Sequence, residues 1–249
     1  MLLTMLVGVV VPVTYLYYST HLPPLESEYD LESLLRGYVE GERFNEQSAQ
    51  AGLRGTQTRW PRPAVDRLPR DLVDLFLSEM GCPTFFQTPR ESSRQAAWRA
   101  FNMFTQGSAL SGADGRCEFQ LGMRIADQAH IQVDATAAIA AFRIRTFLTK
   151  DQLVAYALES YRAEPGVFGV EQAARVLYQK GVKELPLSQL AELMLAVPPN
   201  DFYQDLRVCR NPLLIRQGRD VILSRAATTG LVTPERVRVA KAQPIGCKS

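Results

Sequence analysis

The chain has 249 residues, of which 46% are apolar, so it can form one ordinary domain with a single large core. Its 28 Lys and Arg residues against 26 Asp and Glu residues give a formal net charge of +2, without the clustered positive face that a dedicated nucleic-acid-binding protein needs. From this charge distribution we expect no nucleic-acid partner. The four cysteines and two histidines show no Cys-x2-Cys or His-x3-His spacing, so we expect neither a metal site nor a bound cofactor.

The N-terminal segment is a long apolar stretch, because residues 2–22 contain no Asp, Glu, Lys or Arg. About 21 helical residues span roughly 30 Å of hydrocarbon, so we predict one transmembrane helix within residues 1–22. Tyr15, Tyr17 and Tyr18 suit the headgroup layer at its far end. A cleaved signal peptide is the alternative, although the basic n-region and the small-x-small cleavage site are missing. The acidic residues that follow favour an outward-facing body.

The rest of the chain divides into a breaker-rich part and a helical part. Residues 23–66 mix breakers such as Pro23-Pro24 with isolated apolar residues, so we predict a juxtamembrane stalk there. From about residue 67 the apolar residues recur with helical spacing, and we predict a mainly α body over residues 67–245. Within it, Thr149 is predicted to cap a helix with Gln152 as its capping-box partner.

Three further helices are predicted in the C-terminal third of the chain. The first ends at Gly181, the second has Ser188 as its cap, and the third has Thr233 at the N-cap and Pro234 at the first helical position. The apolar face of the first comprises Val170, Ala173, Ala174 and Leu177. The apolar face of the second comprises Leu190, Leu193, Met194 and Val197, before the breaker Pro198.

The order of motifs in this half is more specific than its periodicity. Residues 150–153 read KDQL, residues 166–174 read GVFGVEQAA and residues 185–198 read LPLSQLAELMLAVP. The order resembles K-D-E-I-L-x-x-Y-L-N, V-Y-F-G-x-G-x-Y-G-I-E-x-A-A and L-x-L-x-E-x-A-x-L-A-x-L-P of family 51 glycosyltransferases. These are the peptidoglycan-polymerising domains of class A penicillin-binding proteins and monofunctional transglycosylases. The resemblance implies a lysozyme-like, mainly α fold behind the transmembrane helix.

The resemblance also indicates where catalytic carboxylates would stand. Such enzymes use one glutamate as general base on lipid II, and a second carboxylate with basic side chains at the departing pyrophosphate. Aligning E-D-x-x-F-x-x-H on Phe85 places the first glutamate on Gly81, and counting R-K-x-x-E back from Lys150 places the second on Ala137. Both catalytic positions are therefore predicted to be substituted. A small insertion would instead bring Glu79 to the first position.

Several other residues are candidates through the same resemblance. The motif G-G-S-T-I-T-Q-Q-L lies opposite residues 113–121, where Gln120 agrees and Glu118 is a fallback acid. Gln120, Lys150 and Glu171 are candidate substrate-binding residues. The alternatives are a solvated surface charge for Glu118 and a structural hydrogen-bond acceptor for Glu171.

Two basic positions of the family also differ. The basic pair of R-K-x-x-E falls on Val133 and Asp134, so we predict weak diphosphate binding. The arginine of R-x-x-x-V-L falls on Gly218, and we interpret the neighbouring Arg216 and Arg219 as surface-paired.

The resemblance places the first two motifs on opposing sides of one cleft, and each contains a cysteine here, Cys82 and Cys117. In an oxidising compartment two close thiols form a disulfide, so we predict a Cys82–Cys117 bond that locks the cleft. Two unpaired buried thiols are the alternative.

Together these expectations favour a membrane-anchored, catalytically degenerate glycosyltransferase-like domain on the periplasmic side of a bacterial inner membrane. Its expected partners are the membrane, lipid II or a glycan strand, and cell-wall synthesis proteins, for which it would be a binding or scaffolding partner. The alternative is an active peptidoglycan glycosyltransferase or a glycan-cleaving enzyme that uses Glu79 with Glu118.

Overall fold

The computed structural model describes residues 20, 22–36, 65–90, 92, 113–131, 135–160, 162–164, 167–197 and 211–246. The chain divides into two compact units, Met1–Tyr38 with Phe86–Leu153 and Val39–Phe85 with Val154–Ser249. Both units contribute residues to the predicted body of 67–245.

The described part of the chain is mainly helical, as predicted. Its helices are α1 (Arg70–Glu79), α2 (Ala113–Gln128), α3 (Ala135–Phe147), α4 (Lys150–Glu159), α5 (Gly169–Tyr178), α6 (Leu187–Leu193), α7 (Pro212–Thr228) and α8 (Pro234–Ala242). Short 3-10 turns occur at Val65–Arg67, Val182–Glu184 and Met194–Ala196. Strands β1 (Arg162–Glu164) and β2 (Val167–Phe168) pair antiparallel, with Arg162 opposite Phe168.

Most of the predicted transmembrane helix, residues 1–19 and 21, lies outside the described residues. Among the residues that are described, no helix is both long and apolar enough to cross a bilayer. The membrane helix therefore stays a prediction.

The start of the predicted stalk differs from that prediction. Residues 28–36 are helical, and Leu25, Leu31 and Leu35 are buried. The Nε2 atom of Gln152 donates to the Oε2 atom of Glu28 at 3.0 Å, which ties this segment to α4. It packs because Leu31 and Leu35 are four residues apart and lie on one helical face. Residues 37–64 lie outside the described part.

In the first unit, α2 packs against α3. Phe119, Ala138 and Ala141 form a buried cluster, and the rings of Phe119 and Phe142 lie 5.3 Å apart between centroids at an angle of 50°. Small alanines on α3 allow this close approach. The apolar segment Ala135–Phe147 thus forms a helix that packs against α2.

In the second unit, α1 packs against α6 and α7, and α7 also packs against α8. Ion pairs link α1 to both C-terminal helices, because Arg225 bonds Glu79 and Arg236 bonds Asp71. The predicted apolar faces of α5 and α6 are buried, as expected.

The structure confirms two predicted helix starts. The backbone N–H of Thr149 donates to Oε1 of Gln152 at 2.8 Å, and the backbone N–H of Gln152 donates to Oγ1 of Thr149 at 3.2 Å. Thr233 caps α8 by accepting from the backbone N–H of Arg236 at 3.4 Å. Both helix starts depend on hydrogen bonds between residues three positions apart, so the sequence pattern predicts them.

Two predicted boundaries were wrong. Helix α5 ends with Gln179 in the left-handed region at φ 58°, and Gly181 instead precedes the turn Val182–Glu184. Helix α6 begins after Pro186, so Ser188 lies inside it, and its hydroxyl donates to Oε1 of Gln243. Ser188 therefore bonds a distant residue instead of capping its own helix. Pro198 lies outside the described residues.

Substitution of Gly169, at the junction of β2 and α5, tests how closely the backbone packs at that junction. It has φ +73°, and an added Cβ would lie 2.5 Å from the backbone oxygen of Glu159. Gly230 has nearly the same φ, +75°, with nothing within 4 Å of an added Cβ. We expect Gly230→Ala to lower the free energy of unfolding by about 1–2 kcal/mol, the cost of the left-handed conformation. Gly169→Ala adds a backbone clash and should cost about 2–5 kcal/mol.

Denaturant unfolding of the two variants measures this difference directly, because the conformational cost is common to both. Equal losses in the two variants would show that the contact between Gly169 and Glu159 is unimportant.

Candidate functional site

One buried polar group in the first unit brings together side chains from three of the sequence motifs. Glu118 of α2 accepts through Oε2 from Nη2 of Arg145 at 2.8 Å, and Nζ of Lys150 lies 3.8 Å from Oε1 of Glu118. The side chains of Glu118, Arg145 and Lys150 are 1%, 4% and 14% exposed. The alternative of a solvated surface charge for Glu118 was therefore wrong, because two cations compensate its burial.

Lys150 connects this group to the first family motif. Its Nζ donates to the backbone oxygen of Thr88 at 2.6 Å and to Oγ1 of Thr88 at 3.1 Å. The alignment of E-D-x-x-F-x-x-H on Phe85 predicts Thr88 at the histidine position of that motif. We refer to Glu118, Arg145, Lys150 and Thr88 as the Glu118 cluster. Its two cations against one carboxylate give it a net positive charge.

Arg90 holds the end of α3 next to the cluster. Its Nη2 donates to the backbone oxygen of Arg145 and, at 2.7 Å, to that of Leu148. Carbonyls at a helix C-terminus lack intrahelical partners, and a cation there also compensates the helix dipole. Arg90 thereby fixes the backbone that carries Arg145.

Two more polar residues lie along α2. Oε1 of Gln120 is buried without a hydrogen-bond partner within the described part of the chain. One turn further, burial lowers the pKa of Arg124 to about 10, opposed by nearby Asp127, so the guanidinium stays charged at neutral pH. Gln120 therefore offers an acceptor that the described protein groups leave unsatisfied.

Neither of the two positions at which the sequence alignment predicts a family glutamate, Gly81 and Ala137, carries an acid. Gly81 lies in the turn after α1 with φ +68°, and Ala137 is fully buried in α3. The fallback residue Glu79 has a side chain that is 2% exposed, and its Oε2 lies 2.7 Å from Nη1 of Arg225. Burial raises the pKa of Glu79, opposed by Arg225, and its Oε1 has no partner among the described residues.

Glu171 fits the alternative of a structural acceptor. Its Oε2 accepts from the backbone N–H of Val182 at 3.0 Å, and its Oε1 accepts from Arg175 at 2.8 Å. The bond to Val182 holds the turn Val182–Glu184 against α5, whereas the pair with Arg175 lies within α5. A role for Glu171 in substrate binding stays a prediction.

The interpretation of Arg219 as a surface-paired residue was wrong, whereas Arg216 is exposed. Arg219 is fully buried, and its Nη1 lies 3.5 Å from Oε1 of Glu192. Glu192 also accepts from the hydroxyl of Tyr178 at 3.2 Å. The sequence signal for this pair is the single glutamate inside the apolar run LAELMLA, because a lone acid in such a run needs a buried partner.

Both described cysteines, Cys82 and Cys117, are disulfide-bonded, and no free thiol occurs among the described residues. Cys82 is 2% exposed and Cys117 is 4% exposed. The alternative of two unpaired thiols was therefore wrong. The pairing of Cys82 with Cys117 stays a prediction, since Cys209 and Cys247 lie outside the described part.

Peptide mapping without reduction will identify the pairing. We expect a single cross-linked peptide that joins Cys82 to Cys117, because the two motifs are predicted to face each other across one cleft. Protein from an oxidising compartment, alkylated before digestion, is the sample of choice. A cross-link from either residue to Cys209 or Cys247 would contradict the predicted clamp.

Within the described ranges, no group of three or more His, Cys, Asp or Glu side chains could hold a metal ion. Val133 and Asp134 lie outside those ranges, so the predicted loss of the diphosphate-binding pair stays a sequence argument.

Comparison with known proteins identifies relatives of this chain. Residues 118–227 match the family model described as Transglycosylase. Penicillin-binding protein 1A of Aquifex aeolicus is 31% identical over 116 residues, which are 45% of this chain and 15% of that protein. Penicillin-binding protein 1A of Pseudomonas aeruginosa is 24% identical over 238 residues, which are 93% of this chain and 27% of that protein.

The chain thus spans less than a third of the length of these relatives, at 15% and 27%. The matched range contains Glu118, Ala137, Arg145, Lys150 and Glu171, so most of the Glu118 cluster lies within it. The resemblance predicted from the sequence is confirmed to this extent: residues 118–227 match the Transglycosylase family model, and the chain is similar to penicillin-binding protein 1A.

Proposed function

We propose that this protein is a catalytically degenerate transglycosylase-like domain that binds lipid II or a glycan strand, as a binding or scaffolding partner in bacterial envelope assembly. The observation that carries the proposal is Ala137, a fully buried methyl group in α3 where the second family glutamate falls. Gly81 occupies the first glutamate position with φ +68°, a conformation that favours glycine over any acid. With these residues the two-carboxylate chemistry has no acid at either position.

The remaining acids support the same proposal. A general base must reach the substrate hydroxyl within hydrogen-bond distance and be free to take its proton. Glu118 is 1% exposed and already compensates Arg145 and Lys150, and Glu79 is 2% exposed and bonded to Arg225. Each carboxylate is thus engaged in holding its own unit together.

The binding half of the proposal rests on groups that are kept. The α2–α3 pair is packed, and Gln120 agrees with the family motif and has an unsatisfied buried Oε1. Sugar hydroxyl and N-acetyl groups could donate to such an acceptor. Since Val133 and Asp134 replace the basic pair, recognition should depend on the sugar more than on the diphosphate.

The proposal includes the location. Residues 1–22 would anchor the chain in a bacterial inner membrane as a single-pass segment, with the body on the periplasmic side and cell-wall synthesis proteins as partners. The uncharged stretch 2–22 and the acidic residues after it support this arrangement.

A titration of the purified full chain with fluorescent lipid II, and separately with glycan strands that lack diphosphate, tests the proposed binding. We expect saturable binding of both ligands, weakened about tenfold by Gln120→Ala, the cost of one buried hydrogen bond. Gln217→Ala, on the exposed face of α7, is the matched control and should bind as the parent does. If neither lipid II nor the glycan strands bind, the proposal is overturned.

The second candidate function is an active glycosyltransferase or glycan-cleaving enzyme that uses Glu79 with Glu118. The observation that favours it is the raised pKa of Glu79, caused by burial, together with its unsatisfied Oε1. Carboxyls with raised pKa values recur among catalytic acids and bases. A polymerisation assay separates the two candidates.

A further inference from the structure

A carboxyl contact joins the end of α4 to the start of α5 in the second unit, and Glu159, which makes it, is half-buried. An added Cβ on Gly169 would lie 2.6 Å from Oε2 of Glu159 and 2.5 Å from its backbone oxygen. The carboxyl group of Glu159 therefore packs directly on the backbone of Gly169. This contact leaves no room for a counter-ion between the two residues.

The charged groups around this contact are unevenly distributed. On α5, Glu171 stands two residues after Gly169, and Arg175 pairs with it at 2.8 Å. Arg67 of the turn Val65–Arg67 is the described cation that favours an ionised Glu159. Glu159 thus faces one acid and one cation, and the nearest arginine on α5 is already engaged by Glu171.

The remaining charged groups of the neighbouring turns have other partners. Oε1 of Glu184 accepts from the backbone N–H of Gly181 at 3.0 Å, and Nζ of Lys183 donates to the backbone oxygen of Asp66 at 3.3 Å. The bond from Lys183 to Asp66 joins the two turns, and the bond from Gly181 to Glu184 lies within one of them. They do not supply a second positive charge to Glu159.

The environment favours the neutral acid. Burial, and then the charge of Glu171, raise the pKa of Glu159 from 4.5 to about 8, while Arg67 opposes the shift. Because the folded pKa lies above the unfolded one, the protonated group contributes stability that is fully present below pH 4.5. That contribution is lost progressively as the pH rises to about 8.

We propose that the contact between Glu159 and Gly169 is a proton-dependent latch, in which the neutral carboxyl holds the start of α5 and its ionisation loosens that turn and the β1–β2 hairpin. Counting K-D-E-I-L-x-x-Y-L-N from Lys150 places its asparagine on Glu159, so an acid stands where the family pattern has a neutral amide. The latch would act whether or not the domain is catalytic, so this inference goes beyond the proposed function.

The first test is a direct titration of the full chain, with the carboxyl carbon of Glu159 followed by NMR. We expect a midpoint near pH 8. A midpoint in the ordinary glutamate range, near 4.5, would overturn the proposal without any variant.

The second test is hydrogen exchange at the backbone amides of Gly169 and Val170. After correction for intrinsic rates, we expect local opening to increase about tenfold between pH 7 and pH 9, because opening restores an ordinary pKa to Glu159. Glu159→Gln should abolish this increase, whereas Glu184→Gln, which removes the same charge from the neighbouring turn, should retain it. An unchanged increase in Glu159→Gln would contradict the latch.

Discussion

Arg145→Ala should lower the free energy of unfolding by about 3–5 kcal/mol, because it leaves a buried carboxylate without its nearest cation. Glu118 is 1% exposed and lies 2.8 Å from Nη2 of Arg145, whereas Lys150 is 3.8 Å away. Because the carboxylate of Glu118 is buried, water cannot replace the lost ion pair. Arg145 also stacks over Phe142 at 5.9 Å, which adds a smaller packing loss.

Denaturant unfolding of three variants separates the charge effect from packing. Arg238→Ala removes an exposed pair with Glu235, 77% and 68% exposed, and should cost less than about 1 kcal/mol. The double variant Glu118→Gln with Arg145→Met removes both charges of the closest pair and should recover much of the loss, since the charge left in the cluster, Lys150, still donates to Thr88. A small loss in Arg145→Ala, comparable to that of Arg238→Ala, would mean that the Glu118 cluster is not a buried ion pair.

Arg219→Met should also cost about 3–5 kcal/mol, with a local consequence at the C-terminal end of the described chain. The guanidinium donates to the backbone oxygens of Gln243 and Lys241, each at 2.9 Å, besides facing Glu192. Its loss leaves Glu192 with the hydroxyl of Tyr178 and the amide of Gly246. The segment after α8 should therefore be released as well.

Limited proteolysis together with denaturant unfolding tests this expectation. Cleavage after Lys241 should become faster in Arg219→Met, whereas Arg216→Met, an exposed position on the same helix, should change neither stability nor cleavage. Identical behaviour of the two variants would show that the buried arginine does not anchor the C-terminal segment.

Local hydrogen bonding explains which parts of the fold could be predicted. The Thr149–Gln152 capping box and the Thr233 cap use residues three positions apart, so the sequence contains both partners. Ser188 was misjudged because its role depends on a distant neighbour, Gln243, to which its hydroxyl donates. The end of α5 was misplaced because Gln179 adopts the left-handed conformation for which a glycine was expected. Caps chosen by tertiary contacts are not visible in spacing alone.

The candidate site divides in the same way. The sequence named Glu118 and Lys150 separately through the family motifs, but the pattern could not show that Arg145 from α3 would meet them. Arg145 follows an apolar run and looks like the polar edge of a helix, yet it is 4% exposed. A charge becomes a buried partner only when another element supplies the opposite charge, and this pairing depends on how α2 and α3 pack.

Lipid II polymerisation by the purified full chain tests the central claim of lost catalysis most directly. With a penicillin-binding protein 1A as positive control, we expect no glycan product from this chain, because the motif alignment predicts Gly81 and Ala137 at the two glutamate positions of the family. Glu79→Gln and Glu118→Gln are the variants that identify a relocated acid. Glycan polymer made by the parent chain and abolished in either variant would contradict the account.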